Sequence, residues 1–141
     1  MHDIKIVDYK NSYIDSIKDI REEVFIKEQK ISRDIEFDGK DDEAIHVLVF
    51  FQNIALATGR MLSDGRIGRI AVLKEHRKKQ IGTMIIKAFI NEALKRDFKK
   101  VYLDSQKNAL AFYEKLGFEI SSEVFVKAGI EHITMQKVLK S

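Results

Sequence analysis

The sequence contains no cysteine, no proline and no tryptophan, and no unbroken apolar run is longer than the five residues of 47–51. The absence of cysteine excludes disulfides, a thiolate nucleophile and cysteine-ligated metal sites. None of the four histidines has a second histidine at the spacing of a metal motif, so we predict no metal site. The apolar run is too short for a membrane helix, which needs roughly 20 apolar residues. No signal-peptide pattern is visible at the start of the chain, and we expect a cytoplasmic protein.

The charges nearly balance, with 25 basic and 22 acidic residues and a net charge of +3. This balance disfavours a dedicated nucleic-acid-binding protein, which concentrates basic residues on one face. Apolar residues make up 45% and charged residues 33% of the chain, as is typical of a soluble globular protein. A length of 141 residues suits one domain, so we expect residues 1–141 to form a single domain with its own core.

The hydrophobic pattern predicts both strands and helices, and hence an α/β fold. Period-two alternation and short β-branched runs indicate strands, whereas apolar residues at i, i+3, i+4 and i+7 indicate helices. The predicted strands are 4–7, 45–51, 54–61, 66–73, 100–104, 118–120 and 132–139, and the predicted helices are 12–27, 80–96 and 108–116. The strand–helix–strand unit over 66–103 predicts a parallel pairing within a mixed sheet.

The segment 28–43 has little apolar periodicity, and we predict that it forms a loop with an acidic rim. Its acidic residues are Glu28, Asp34, Glu36, Asp38, Asp41, Asp42 and Glu43.

The most informative stretch is 67–83, in which a strand ends, a basic turn follows and a buried helix begins. The N-terminus of a helix presents unpaired N–H groups and the positive end of its dipole, which suit a phosphate. Arg77, Lys78 and Lys79 add positive charge beside these donors, and Gly82 allows a ligand to approach the backbone closely. The pattern therefore indicates either a pyrophosphate-binding loop or a solvated basic loop before an ordinary helix.

This stretch resembles the acyl-coenzyme A (CoA) binding motif of the GNAT superfamily of N-acyltransferases, which reads Arg/Gln-x-x-Gly-x-Gly/Ala. Arg77 takes its first position and Gly82 its last, whereas Gln80 stands where the family usually has its first glycine. The segment 105–118 resembles the second cofactor motif of the family. The matching residues there are Asn108, Ala111, Phe112, Tyr113, Gly117 and Phe118. With the order of the elements, the resemblance covers nearly the whole chain.

The resemblance implies a mixed, strongly twisted central sheet flanked by helices, in the GNAT topology. It also implies an N-acetyltransferase that moves the acetyl group of acetyl-CoA directly to a primary amine of a small molecule or peptide, within a ternary complex. The cofactor-binding residues that it implies are Ile70, Ala71, Val72, Arg77, Lys78, Lys79, Gln80, Ile81, Gly82, Thr83, Asn108 and Tyr113.

Direct attack on a thioester requires a neutral amine, and an alkyl amine has a pKa near ~10.4, so a base must first remove a proton. The resemblance assigns a backbone N–H near Val72 to the developing oxyanion. It also assigns to the phenol of Tyr113 the role of donating a proton to the leaving thiolate. Tyr113 could instead belong to the core, and Asn108 could bind the pantetheine arm or merely begin its helix. The candidates for the base are Glu28, His46, His132 and Glu36.

Other functions stay open at this point. Because Gln80 departs from the motif, a CoA-binding or sensing module without catalysis stays an alternative. The basic segment 74–79 leaves a nucleic-acid-binding protein as a further alternative, which the acidic segment 28–43 disfavours. If the protein is an acetyltransferase, the acidic rim favours a cationic acceptor such as a polyamine, an amino sugar or a lysine. We expect no partner of the nucleic-acid or membrane class, and a homodimer stays open.

Overall fold

The computed structural model describes residues 2–139, within which four α-helices and eight strands are formed. The helices are α1 (Ser12–Arg21), α2 (Arg33–Glu36), α3 (Ile81–Lys95) and α4 (Leu110–Lys115). The strands are β1 (Asp3–Val7), β2 (Ile45–Phe51), β3 (Ile54–Met61), β4 (Ile67–Val72), β5 (Lys100–Gln106), β6 (Glu119–Ile120), β7 (Phe125–Lys127) and β8 (Ile130–Val138). A π-helical segment, Glu22–Glu28, continues α1, and two 3₁₀ turns lie at Lys74–His76 and Lys107–Ala109. The predicted α/β class, with helices flanking the sheets, is confirmed.

The strands form two antiparallel sheets. One has the spatial order β1–β2–β3–β4, and the other has β8 at its centre, paired with β5, β6 and β7. The predicted parallel pairing over 66–103 is limited to one bridge between Arg66 and Tyr102. A register shift in the β3–β4 ladder and a φ of 51° at Arg69 mark a bulge in β4. Because a bulge bends its strand and increases its twist, β4 separates from β5 after this bridge.

Helices cover both faces of the first sheet, which explains the near-continuous apolar sequence of β2. Val47 and Val49 belong to the core cluster that contains α3, whereas Leu48 between them belongs to the cluster that contains α1. The close packing of α3 depends on Gly59 in β3, where an added Cβ would lie 2.9 Å from Ile85. This packing holds the N-terminus of α3 beside the end of β4.

The helix predicted over 12–27 and the loop predicted over 28–43 differ from the structure in detail. The helix changes from α to π geometry at Glu22, and the Gln29 N–H donates to the Val24 carbonyl five residues earlier, at 3.1 Å. The predicted loop contains α2, whose N-terminus is capped by Ser32, with the Ile35 N–H donating to its hydroxyl at 3.4 Å. A single turn of this length has no periodicity for a sequence pattern to detect.

The end of the chain contains a hairpin that the sequence pattern did not reveal. Strand β8 begins at Ile130 rather than at residue 132, and β7 was not predicted. The two strands are joined by Ala128 and Gly129, whose φ values of 54° and 76° suit a two-residue hairpin turn. Alanine is uncommon at such a position, so the turn lacks the usual sequence signal.

Candidate functional site

The candidate site lies where β4 and β5 separate. Among the described residues the only β-bridge between these two segments joins Arg66, just before β4, to Tyr102, and beside it the Tyr102 N–H donates to the Gly65 carbonyl at 3.0 Å. Gly65 has a φ of +95°, and an added Cβ would lie 2.5 Å from the carbonyl oxygen of Lys100, so this junction requires glycine. Beyond it, the carboxyl-terminal halves of β4 and β5 are not paired with each other. A gap therefore opens between them.

Val72 at the end of β4 turns its backbone groups away from β3. The Leu73 N–H donates to the Leu56 carbonyl at 2.9 Å, which makes 56 and 73 a hydrogen-bonded pair of the ladder. Hydrogen-bonded and non-hydrogen-bonded pairs alternate in an antiparallel ladder. Val72, opposite Ala57, therefore belongs to a non-hydrogen-bonded pair, and its N–H and C=O point towards the side of β5. Its carbonyl accepts a bond from Arg77 Nε at 2.9 Å, and its N–H has no acceptor among residues 2–139.

The N-terminus of α3 presents further backbone donors. Gln80 precedes the helix in the left-handed conformation, with φ 62° and ψ 22°, and makes no side-chain capping bond. The N–H of Met84 donates to the Gln80 carbonyl at 3.1 Å, so the N–H groups of 81–83 have no acceptor within the helix. An added Cβ on Gly82 would have no atom within 4 Å, which leaves room over this turn for a ligand. With no acidic residue in its first turn, this helix end suits an anion.

Three basic residues precede this helix end, and they are not equivalent. Lys78 and Lys79 are exposed and make no ion pair within the described part of the chain. Arg77 instead binds Glu28 through two bonds, Nη1 to Oε2 at 2.6 Å and Nη2 to Oε1 at 2.7 Å. This hydrogen bonding lowers the pKa of Glu28 and raises the pKa of Arg77 from their ordinary values. The structure thus joins a predicted base to a predicted cofactor-binding residue.

Tyr113 on α4 combines a packed ring with a free hydroxyl. Its ring meets Phe112 edge-on at 5.0 Å and Phe118 at 6.0 Å between centroids, and it packs against the main core. Its hydroxyl makes no hydrogen bond to any residue between 2 and 139. Burial raises the pKa of Tyr113, so the phenol is protonated at neutral pH and can act as a donor. Asn108 is exposed in the 3₁₀ turn before α4.

The other three candidates for the base are held inside the fold. His46 is fully buried, its Nε2 donates to the Asp41 carbonyl at 2.9 Å, and desolvation lowers its pKa. His132 is buried with Nδ1 2.8 Å from the Ile130 carbonyl. Glu36 is 3% exposed and is bound by an arginine. Because these three side chains are buried, an amine in solution cannot contact them. Glu28 is the candidate base that remains accessible.

The predicted acidic rim over 28–43 is wrong for its central residues, because arginines neutralise them. Arg21, which is 1% exposed, binds Glu36 through Nε at 2.7 Å and Asp41 through Nη1 at 2.6 Å. Arg60 binds Asp41 at 3.1 Å and Asp38 at 2.9 Å. These pairs hold the segment against β3 and leave little net charge there to attract a cationic acceptor.

Arg69 in the bulge of β4 completes this ionic cluster. Its Nη2 donates to the Asp38 carboxylate at 3.2 Å and its Nε lies 3.3 Å from the Glu36 carboxylate. Partial desolvation opposes ionisation of Asp38, but hydrogen bonds from Arg60 and the Lys40 N–H outweigh it and hold the pKa of Asp38 well below its usual range. The cluster pairs three arginines with three carboxylates, so it is a structural unit and not a free anion site.

Within residues 2–139, no group of three histidine, aspartate or glutamate side chains is arranged to hold a metal ion. No helix in the range 2–139 has both the length and the apolar character needed to cross a membrane.

A sequence model of the acetyltransferase (GNAT) domain matches residues 12–139. The chain belongs to the GNAT acetyltransferase family. The resemblance predicted from the two motifs is therefore confirmed.

Relatives of this GNAT chain support an acyltransferase. It is 37% identical over 122 residues to the uncharacterized N-acetyltransferase YjcF of Bacillus subtilis (strain 168), with 84% of this chain and 87% of YjcF covered. An acyl-CoA N-acyltransferase from Pseudomonas aeruginosa has a TM-score of 0.87 at 26% identity, with 98% and 100% of the two chains covered. A GNAT acetyltransferase from Elizabethkingia anophelis, solved with acetyl-CoA bound, shares the fold at a TM-score of 0.71, 19% identity and 98% coverage of both chains.

Sequence reasoning missed Arg21, although the sequence holds a signal for it. Arg21 lies four residues after Ile17 and three before Val24, and is therefore on the apolar face of its helix. A charged residue on such a face requires a buried partner. The identity of that partner is not encoded nearby, because Glu36 and Asp41 lie 15 and 20 residues away.

Proposed function

We propose that this GNAT protein transfers the acetyl group of acetyl-CoA to a primary amine of a small molecule or peptide. One observation carries the proposal: two sets of unpaired backbone donors flank the segment that joins β4 to α3. The Val72 N–H faces the gap between β4 and β5, and the N–H groups of 81–83 lie at the uncapped start of α3. The first suits a carbonyl oxygen that gains negative charge, and the second suits phosphate.

The residues around the gap fit acyl-CoA as a substrate. The backbone donors of Ile81, Gly82 and Thr83 would hold the phosphates, with Gln80 shaping the turn in its left-handed conformation. The side chains that add positive charge there are Arg77, Lys78 and Lys79. The backbone of 70–72, on the side of β4 that faces away from β3, and the exposed side chain of Asn108 would hold the pantetheine arm.

The chemistry needs three functions from the protein. The amine must lose a proton, and Glu28 is the accessible candidate for accepting it. The amine nitrogen then bonds to the carbonyl carbon, while the Val72 N–H stabilises the charge on the carbonyl oxygen. As the carbon–sulfur bond breaks, the thiolate takes the proton of the Tyr113 hydroxyl. The nitrogen of the new amide releases its extra proton to solvent, and the phenolate recovers a proton from solvent. The raised pKa of Tyr113 keeps the phenol protonated until that step.

The decisive experiment measures transfer from acetyl-CoA to a panel of primary amines, with free thiol and product mass as readouts. Tyr113→Phe should lower the single-turnover rate by roughly 10²–10⁴, the range of general acid–base catalysis, with unchanged affinity for CoA. A wild-type single-turnover rate would show that Tyr113 serves only the core. CoA binding without transfer to any amine would favour the CoA-binding module instead.

A second variant tests the cofactor-binding turn. Gly82→Val should abolish CoA binding measured by calorimetry, because the new side chain fills the space over the first turn of α3. Lys87→Val is the matched control, since it places the same residue on the exposed side of the same helix. Unchanged affinity in a folded Gly82→Val protein would contradict the assignment of this turn to phosphate.

A further inference from the structure

The ion pair between Glu28 and Arg77 joins the two halves of the proposed site. Glu28 is the last residue of the π-helical segment, and Arg77 begins the basic stretch before α3, 49 residues later. π-Helical turns are rare in proteins, and those that occur often lie at functional sites. Here the π-helical segment ends with a carboxylate that binds Arg77 in the proposed cofactor loop, residues 77–83.

All three nitrogens of the Arg77 guanidinium are engaged. Nε donates to the Val72 carbonyl, and Nη1 and Nη2 donate to the two oxygens of Glu28 at 2.6 and 2.7 Å. Arginine binds carboxylate and phosphate through the same two-pronged geometry. A phosphate that bound Arg77 would therefore compete with Glu28 for the same donors.

The pair is placed so that exchange is feasible. The side chains of Arg77 and Glu28 are 36% and 38% exposed, and an exposed ion pair contributes little free energy. A phosphate at the start of α3 also gains the backbone donors and the dipole of that helix, which Glu28 does not reach. The balance therefore favours phosphate once acyl-CoA is present.

We propose that a phosphate of acyl-CoA displaces Glu28 from Arg77, so that the Glu28 carboxylate becomes free only in the cofactor-bound enzyme. This inference rests on the proposed function and adds a regulation of the same site. Loss of the Arg77 hydrogen bonds removes the main influence that lowers the pKa of Glu28. The released carboxylate is a better proton acceptor than the paired one.

The released carboxylate would face a space large enough for a small amine. An open cavity of about 440 Å³ adjoins it between the π-helical segment and residues 73–75. Its other lining residues are Glu23, Lys27, Leu73, Lys74 and Glu75. Leu73, which lines this cavity, directly follows Val72 in the chain.

Calorimetry with CoA as the probe tests the exchange. Glu28→Gln should bind CoA about two- to fivefold more tightly, the size expected from loss of a competing exposed ion pair. Glu22→Gln is the matched control in the same segment, because Glu22 pairs with Arg33 and does not line this cavity, and its CoA affinity should equal that of wild type. In an Arg77→Met background the effect of Glu28→Gln should vanish.

The outcomes separate this inference from the proposed function. Failure of the wild-type protein to bind CoA would remove the proposed function. CoA binding with no gain in Glu28→Gln, or an equal gain without Arg77, would overturn the exchange alone, since simple charge repulsion would explain the second result. NMR titration of the Glu28 carboxyl in the wild-type chain gives an independent measurement. Its pKa should rise when CoA binds, and an unchanged or lower value would overturn the exchange.

Discussion

Arg21 should be the most costly single side chain to remove from the ionic cluster. Its guanidinium is 1% exposed and makes three bonds, to the carboxylates of Glu36 and Asp41 and to the Glu36 carbonyl at 2.9 Å. It also lies 4.9 Å from the ring centroid of Phe37. Arg21→Met keeps the apolar stem but leaves two buried carboxylates with one fewer cation each.

The expected loss in the free energy of unfolding depends on the charged groups that remain after Arg21 is removed. Removing one partner of a buried ion pair costs about 3–5 kcal/mol, because the other charge loses its compensation. Arg69 still lies 3.3 Å from Glu36 and Arg60 lies 3.1 Å from Asp41, so we expect the lower end, about 3 kcal/mol. For a chain of this length such a loss lowers the melting temperature by about 10 °C.

Urea denaturation at neutral pH measures this loss as a shift of the midpoint at constant slope. The control is Arg33→Met, because Arg33 forms a pair with Glu22 while 60% exposed, and its removal should cost at most about 1 kcal/mol. The double variant Arg21→Met/Glu36→Gln should lose less than the sum of its single variants, since it leaves one fewer charge unpaired. An Arg21→Met protein as stable as the control would refute the reasoning that the cluster is electrostatically coupled.

Two further predictions concern Gln80 and His46. Gln80→Gly should stabilise the fold by about 0.5–1 kcal/mol, because glycine adopts a φ of 62° without strain. The control Gln29→Gly, at a φ of −94°, should destabilise the fold, and urea denaturation measures both changes. CoA affinity should be retained in Gln80→Gly, and a large loss would show that the glutamine side chain is itself a ligand. Desolvation lowers the pKa of His46, so the unfolded chain binds more protons than the folded one, and stability is lost as the pH falls below about 6.5. His46→Gln should lack this part of the pH dependence of the free energy of unfolding, and an identical pH profile would contradict it.

The local patterns of the sequence predicted most of the helices and strands and the start of α3 after a basic stretch. The helical period after 80 and the basic residues before it predicted a helix start at a phosphate site, and α3 begins at Ile81 with uncapped donors. Gln80 stands where the family motif usually has a glycine, so its backbone conformation was of interest. In the structure Gln80 adopts the left-handed conformation that glycine favours. These features depend on neighbours within a few residues, so a local pattern contains them.

The tertiary structure alone decided which charged side chains are neutralised by ion pairs and which remain available to a ligand. Segment 28–43 is acidic in sequence, yet Arg21, Arg60 and Arg69 reach it from α1, β3 and β4 and neutralise its centre. Glu28 was a candidate base and Arg77 a candidate phosphate ligand, but nothing in their sequence context joins two residues 49 positions apart. Ion pairing depends on distance through space, which follows from the register of β3 and β4, the bulge at Arg69 and the packing of α1 on the sheet. Those are set by the whole core, and a one-dimensional pattern of residue types does not specify them.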